Sequence, residues 1–129
     1  LYGDGLQRRD WLFVSDHAAG VDFVLRHGAT GETYNLPGGV ERTNRVTVGL
    51  LLARLGKPWS LVREVADRPG HDRRYAIDAS KLKNELGWKP SMTFEQGIAR
   101  TVDWYLDRQA WVRRVLDGSY RLERIGEVA

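Results

Sequence analysis

The chain alternates between short continuous apolar runs and segments whose apolar residues recur at helical spacing. After a turn marked by Gly3-Asp4-Gly5, the run Trp11-Leu12-Phe13-Val14 has the length of a buried strand. Ser15 or Asp16 is then placed to cap a helix with Ala18, Val21, Val24 and Leu25 inward, ended by Gly28. Thr33-Tyr34-Asn35-Leu36 reads as a second strand, stopped by Pro37-Gly38-Gly39. A second helix starts at Thr43 or Asn44, turns Val48, Leu51, Leu52 and Leu55 inward, and ends at Gly56 and Pro58.

Ser60 to Ala66 reads as extended, a Pro-Gly turn follows at Pro69-Gly70, and Tyr75-Ala76-Ile77 has strand composition. Asp78 is positioned to cap a short helix running to Leu86 and stopped by Gly87. Thr93 and Gln96 form a capping box for a final helix, expected to be the longest, with Phe94, Ile98, Val102 and Tyr105 on one face. Trp104 and Trp111, seven residues apart, fall on one flank of it as a packing or partner surface. Strands and helices alternate throughout, which argues for an α/β domain, and there is no internal repeat.

A length of 129 residues with 42% hydrophobic content is enough for one core and too little for two. No stretch approaches the roughly 18 consecutive apolar residues of a membrane span. The absence of cysteine excludes disulfides and thiolate metal sites and suits a cytoplasmic protein. The chain begins at Leu1 rather than Met, so further sequence is expected upstream. Twenty basic against 17 acidic residues give a net charge of +3 on a mixed surface, so local clusters matter more than the total. His17, His27 and His71 show no His-x-x-x-His spacing, and no metal site is expected. No G-x-S-x-G, G-x-G-x-x-G or Walker pattern occurs, and the Gly38-Gly39 pair alone does not make a phosphate loop.

The candidate chemistry lies in the run Asp67-Arg68-Pro69-Gly70-His71-Asp72-Arg73-Arg74-Tyr75. Pro69 fixes φ and Gly70 permits a positive φ, so the run bends tightly and its basic groups converge, with Arg forks matched to phosphate oxygens. A diphosphate is the expected guest. The alternative is a solvated turn whose arginines pair with Glu64, Asp67 or Asp72. Arg9 follows a Gly-rich turn, a place for a ligand contact or for a surface salt bridge, and Asn44 is a helix cap, a ligand contact or both.

These residues resemble the dTDP-glucose 4,6-dehydratase family of extended short-chain dehydrogenases/reductases. The likeness rests on Tyr2-Gly3-Asp4-Gly5, Arg9-Asp10-Trp11-Leu12, Asp16-His17, Gly31-Glu32-Thr33-Tyr34-Asn35, Asn44, the Asp67 to Asp78 run, Glu85-Leu86-Gly87-Trp88-Lys89-Pro90 and Trp104-Tyr105-Leu106. It implies an α/β fold in which this chain is the carboxy-terminal, substrate-binding lobe of a parent protein. Residues 1–58 would pack on a Rossmann domain absent from this chain, and residues 59–129 would form the lobe. The strands at 11–14 and 33–36 would complete the Rossmann sheet, leaving apolar surface exposed around Leu12, Phe13 and Tyr34 in isolation.

The resemblance also implies that Arg9, Asn44, Asp67, Arg68, Pro69, Gly70 and His71 bind the nucleotide diphosphate of dTDP-glucose. It further implies NAD held by the parent protein, a homodimeric parent, and neither nucleic acid nor membrane as partner. The family's Tyr-x-x-x-Lys pair has no counterpart at any tyrosine here, and the dinucleotide fingerprint is missing as well. The chain alone is therefore expected to be inactive, with no catalytic residue of its own. The alternatives are a basic nucleic-acid-binding module and the equivalent lobe of a nucleotide-sugar epimerase.

Overall fold

The computed structural model describes residues 1–118. In chain order they form β1 (Arg8–Asp10), α1 (Val14–His27), β2 (Glu41–Thr43), α2 (Asn44–Leu55), a 3-10 turn (Trp59–Leu61), a π-helical turn (Leu82–Leu86), α3 (Phe94–Asp107) and α4 (Gln109–Leu116). The part of the expected 59–129 lobe beyond residue 118 lies outside the described residues.

β1 and β2 pair antiparallel, with Arg8 opposite Thr43, Arg9 opposite Arg42 and Asp10 opposite Glu41. On its other side β1 receives the end of the Pro-Gly run. The Arg8 N–H donates to the Arg73 carbonyl at 2.8 Å, and the Tyr75 N–H donates to the Arg8 carbonyl at 3.0 Å. Residues 1–3 are tied in the same way to Val65, which donates to the Leu1 carbonyl and accepts from Gly3, each at 2.9 Å. The first ten residues thus form a spine that gathers three distant segments.

Neither apolar run expected to be a strand is one. Residues 11–13 lead irregularly into α1, and residues 32–38 join no ladder. A strand persists only where a neighbour accepts its backbone bonds, and among the described residues those neighbours exist for the charged Arg8–Asp10 instead. The same reason reduces Tyr75–Ile77 to a single bridge between Arg74 and Arg8, and the segment 60–66 to a 3-10 turn followed by one bridge at Val65.

The helices sit where the periodicity puts them, with shifted details. The cap of α1 is Phe13, not Ser15 or Asp16, and it contributes no side-chain bond. Asp16 lies within the first turn, 5% exposed, and accepts from Ser91 Oγ at 2.6 Å and from the Ser91 and Met92 N–H groups at 3.1 Å. The inward face of α1 includes Gly20, where a Cβ would stand 2.6 Å from Leu36 Cδ2 and 2.8 Å from Trp88 Cζ2. Val21 and Leu25, expected inside, are exposed. So is Leu55 of α2, although α2 packs on α3. Thr43 caps α2 by accepting from the Val46 N–H, and Thr93 with Gln96 completes the expected capping box on α3.

Arg108, at φ −107° and ψ 34°, breaks the final helix into α3 and α4, so α3 equals α1 at 14 residues and does not exceed it. Trp104 and Trp111 therefore belong to different helices, yet their rings meet edge to face at 5.1 Å. Tyr105, expected in the α3 stripe, is exposed. The buried apolar side chains among the described residues are Leu82, Phe94 and Val102, of which Leu82 alone is fully buried. Leu12, Phe13 and Tyr34 are half-buried rather than exposed: Phe13 lies against Gly97, and Tyr34 sits under Lys81 and donates to Glu85.

A cationic site built on the first strand

β1 brings the expected binding residues into one neighbourhood. Arg9 lies on the strand. Asn44 opens α2, with its N–H donating to the Gln7 carbonyl at 3.0 Å. The Pro-Gly run lies alongside, bent as expected: the His71 N–H donates to the Arg68 carbonyl, and Gly70 has φ +68°, the conformation that the third position of a type II turn requires.

The basic groups do not converge as one cluster. Successive residues of a strand face opposite ways, and Arg8 and Arg74 both reach Glu41, Arg8 Nε at 3.3 Å and Arg74 through Nε at 2.8 Å and Nη2 at 2.6 Å. Arg73 makes a two-pronged pair with Asp4 at 2.9 and 3.0 Å. The guanidinium of Arg74 holds the Glu41 carboxyl below its ordinary range, and that of Arg73 does the same for Asp4. These three arginines are structural. Of the acids expected as partners for the loop arginines, Asp67 takes His71 and Glu64 takes Arg45.

Arg9 and Arg68 are different. Among the described residues Arg9 donates only to neutral carbonyls, Nη1 to Arg8 at 2.7 Å and Nη2 to Asp72 at 3.0 Å, and its guanidinium carbon lies 4.4 Å from the centre of the Tyr75 ring. The Arg68 side chain has no partner among the described residues. Both positive charges act on the Tyr75 hydroxyl, whose pKa is nevertheless raised because it is hydrogen-bonded to Asp72. Neither guanidinium group has a carboxylate partner among the described residues, and the charge of each is felt at the Tyr75 hydroxyl. The Asn44 amide likewise has no side-chain partner among the described residues.

Beneath them, Asp67 anchors the turn. Its Oδ1 accepts from His71 Nδ1 at 2.6 Å and from the Arg68 N–H at 2.9 Å, and its Oδ2 accepts from Gln7 Nε2 at 2.9 Å. The His71 bond is the main cause holding the Asp67 carboxyl below its ordinary value. Gln7 is 1% exposed, and its Oε1 is left without a donor. Since Asp67 requires the amide nitrogen on its side, the orphaned oxygen is the cost of that anchor.

Arg9 and Tyr75 line a hollow of about 430 Å³ with residues 36–38. Of the expected binding residues Arg9 alone lines it; Asn44, Asp67, Arg68, Pro69, Gly70 and His71 do not. A larger, mainly apolar hollow of about 690 Å³ runs between residues 11–15 and α3 and contains none of the expected binding residues. Gln7, Asp72 and Tyr75 were missing from the expected set. The signal for them was the placement of β1 itself, which fixes which way Arg8 and Arg9 point. No group of three His, Asp or Glu side chains among the described residues is arranged to hold a metal ion. None of their helices is long and apolar enough to cross a membrane.

The family model described as GDP-mannose 4,6 dehydratase matches residues 1–101. A dTDP-glucose 4,6-dehydratase of Xanthomonas campestris pv. campestris is 62% identical over 135 residues, covering 98% of this chain and 38% of that protein. The solved dTDP-glucose 4,6-dehydratase of Streptomyces venezuelae, with NAD and dTDP bound, superposes with a TM-score of 0.82 at 50% identity, covering 86% of this chain and 34% of that one. A UDP-glucose 4-epimerase of Thermotoga maritima, solved with UDP-glucose, gives a TM-score of 0.78 at 28% identity over 84% of this chain and 35% of that one. The chain thus spans little more than a third of the length of these relatives, and its fold is that of the corresponding part of the extended short-chain dehydrogenases/reductases. The matched region takes in every candidate binding residue, and the chain belongs to the GDP-mannose 4,6 dehydratase family.

Proposed function

We propose that this chain forms the nucleotide-sugar-binding portion of an NAD-dependent dTDP-glucose 4,6-dehydratase, which converts dTDP-glucose to dTDP-4-keto-6-deoxyglucose. The observation that carries the reading is the sorting of the arginines. Arg8 and Arg74 share Glu41 and Arg73 pairs with Asp4, while Arg9, over the Tyr75 ring, and Arg68 have no carboxylate partner among the described residues. Forked donors of that kind suit a diphosphate. Asn44 offers a neutral amide, and the Asp67–His71 pair fixes the bend at Pro69-Gly70 that carries Arg68. The names of the Xanthomonas and Streptomyces relatives support thymidine as the base.

NAD supplies hydride chemistry in such a dehydratase, but the residues present do not form its cradle. The sequence holds no dinucleotide fingerprint, and Gly38 of the lone glycine pair is taken up by packing on the chain itself, since a Cβ there would fall 1.6 Å from the Trp11 carbonyl oxygen. No step of the reaction is assigned to this chain. Its part is to bind and orient the nucleotide, which raises the rate only together with a positioned cofactor and base. A homodimeric parent and a cytoplasmic location accompany this reading.

Titration calorimetry of the 129-residue chain with dTDP, UDP and GDP tests it, with saturable binding of dTDP and at least tenfold preference over the other two as the expected result. Equal or stronger binding of UDP would favour the second reading, the corresponding lobe of an epimerase, which the likeness to the Thermotoga protein supports. A basic module for nucleic acid is disfavoured because three of the arginines near β1 are already paired, and steep salt dependence with no preference among bases would restore it.

A further inference from the structure

We propose that Tyr75 is a positioning residue for diphosphate binding: its ring, held by the hydroxyl's bond to Asp72, seats the Arg9 guanidinium away from any carboxylate. This rests on the nucleotide-diphosphate reading given above and adds to it how the binding arginine is presented.

An arginine on a short surface strand can find a carboxylate, as exposed Arg8, one residue earlier, finds Glu41; Arg9, half-buried, does not. Arg9 has one acid next to it in sequence, Asp10, and another brought near it by the fold, Asp72, and pairs with neither carboxylate. Asp10 Oδ1 accepts from the Val40 N–H at 3.1 Å, and the Asp72 carboxylate accepts from the Tyr75 hydroxyl. The acid that could have quenched Arg9 is therefore occupied by the same tyrosine whose ring supports it. Arg9 meets Asp72 only through the main-chain carbonyl.

The geometry leaves Arg9 ready for an anion. Its guanidinium carbon is 4.4 Å from the ring centre, within cation–π range. Two of its five N–H groups are taken by carbonyls, so three remain to donate. Tyr75 itself is placed by the backbone, its N–H donating to the Arg8 carbonyl at 3.0 Å, so the ring and Arg9 stand on adjacent, bonded segments. Preorganisation of this kind lowers the ordering cost of binding, which for a long side chain is otherwise considerable.

The test is titration calorimetry of the 129-residue chain with dTDP and with thymidine, using Tyr75→Leu, Tyr75→Phe, Arg9→Gln and Arg9→Gln/Tyr75→Leu. Tyr75 is 52% exposed, so the variants keep the fold, and circular dichroism checks this. Tyr75→Leu is expected to weaken dTDP about two- to fivefold, the scale of an exposed cation–π contact, and to leave thymidine binding unchanged. Tyr75→Phe, which keeps the ring, is expected to lose less. In the Arg9→Gln background, Tyr75→Leu is expected to change nothing further. Unchanged dTDP affinity in Tyr75→Leu, an equal loss for thymidine, or the same loss with and without Arg9 would each overturn the proposal while leaving the diphosphate reading in place. Failure of the unaltered chain to bind dTDP would remove that reading and this one with it.

Discussion

Asp16 shows how one side chain can tie two distant segments. Burial raises its carboxyl pKa, but the bonds from Ser91 Oγ and from the Ser91 and Met92 N–H groups outweigh that and hold it below the ordinary 3.8. Replacing it with Ala leaves those donors unsatisfied under α1, and the expected loss is roughly 1–3 kcal/mol in urea unfolding. Asp4 and Asp67 are held low as well, by Arg73 and by His71. A carboxyl whose folded pKa is depressed contributes stability that is complete above its unfolded value and lost as pH falls through the folded one. Unfolding free energy measured across pH should therefore stay level from neutrality to about pH 5 and drop below about pH 4, whereas a decline beginning near pH 6 would contradict these assignments. Gln7 was invisible to composition because its importance comes from contact with Asp67, 60 positions away.

At the scale of elements, the helices were legible and the strands were not. Thr93 and Gln96 announced the start of α3 because a capping box is a local device, complete within four residues. Thr93→Ala is expected to cost about 1 kcal/mol in thermal or urea unfolding; no measurable loss would show that α3 is held by packing alone. The strands depend on partners. Trp11–Val14 and Thr33–Leu36 have strand composition but no bonded neighbour among the described residues, while Arg8–Asp10, charged throughout, pairs with β2 and with the end of the Pro-Gly run. The break at Arg108 also escaped notice, since no Pro or Gly marks it.

For the whole molecule, the telling feature is how little apolar surface is covered. Val14, Val21 and Leu25 of α1 are 71%, 49% and 83% exposed, and with Ala18 they fall at helical spacing on one face. Sequence reading assigned most of that stripe to the interior, and periodicity alone does not reveal whether the interior is supplied by the same chain. An open apolar stripe of this kind favours association. Light scattering of the 129-residue chain is expected to show self-association that Val21→Lys/Leu25→Glu abolishes; a monomer before and after the substitutions would contradict it. The bend that carries the candidate binding residues was legible because Pro69-Gly70 is a local signature, but which arginines are spent on Asp4 and Glu41 emerged only from the pairing around β1.

That division of labour among the arginines is the central claim, and dTDP affinity measured side by side in Arg68→Gln and Arg73→Gln tests it most directly. The account predicts that Arg68→Gln weakens binding about tenfold or more, on the scale of a lost charge-assisted contact, while Arg73→Gln, in the same run, binds as the unaltered chain does. The reverse order, or equal losses in both, would contradict it.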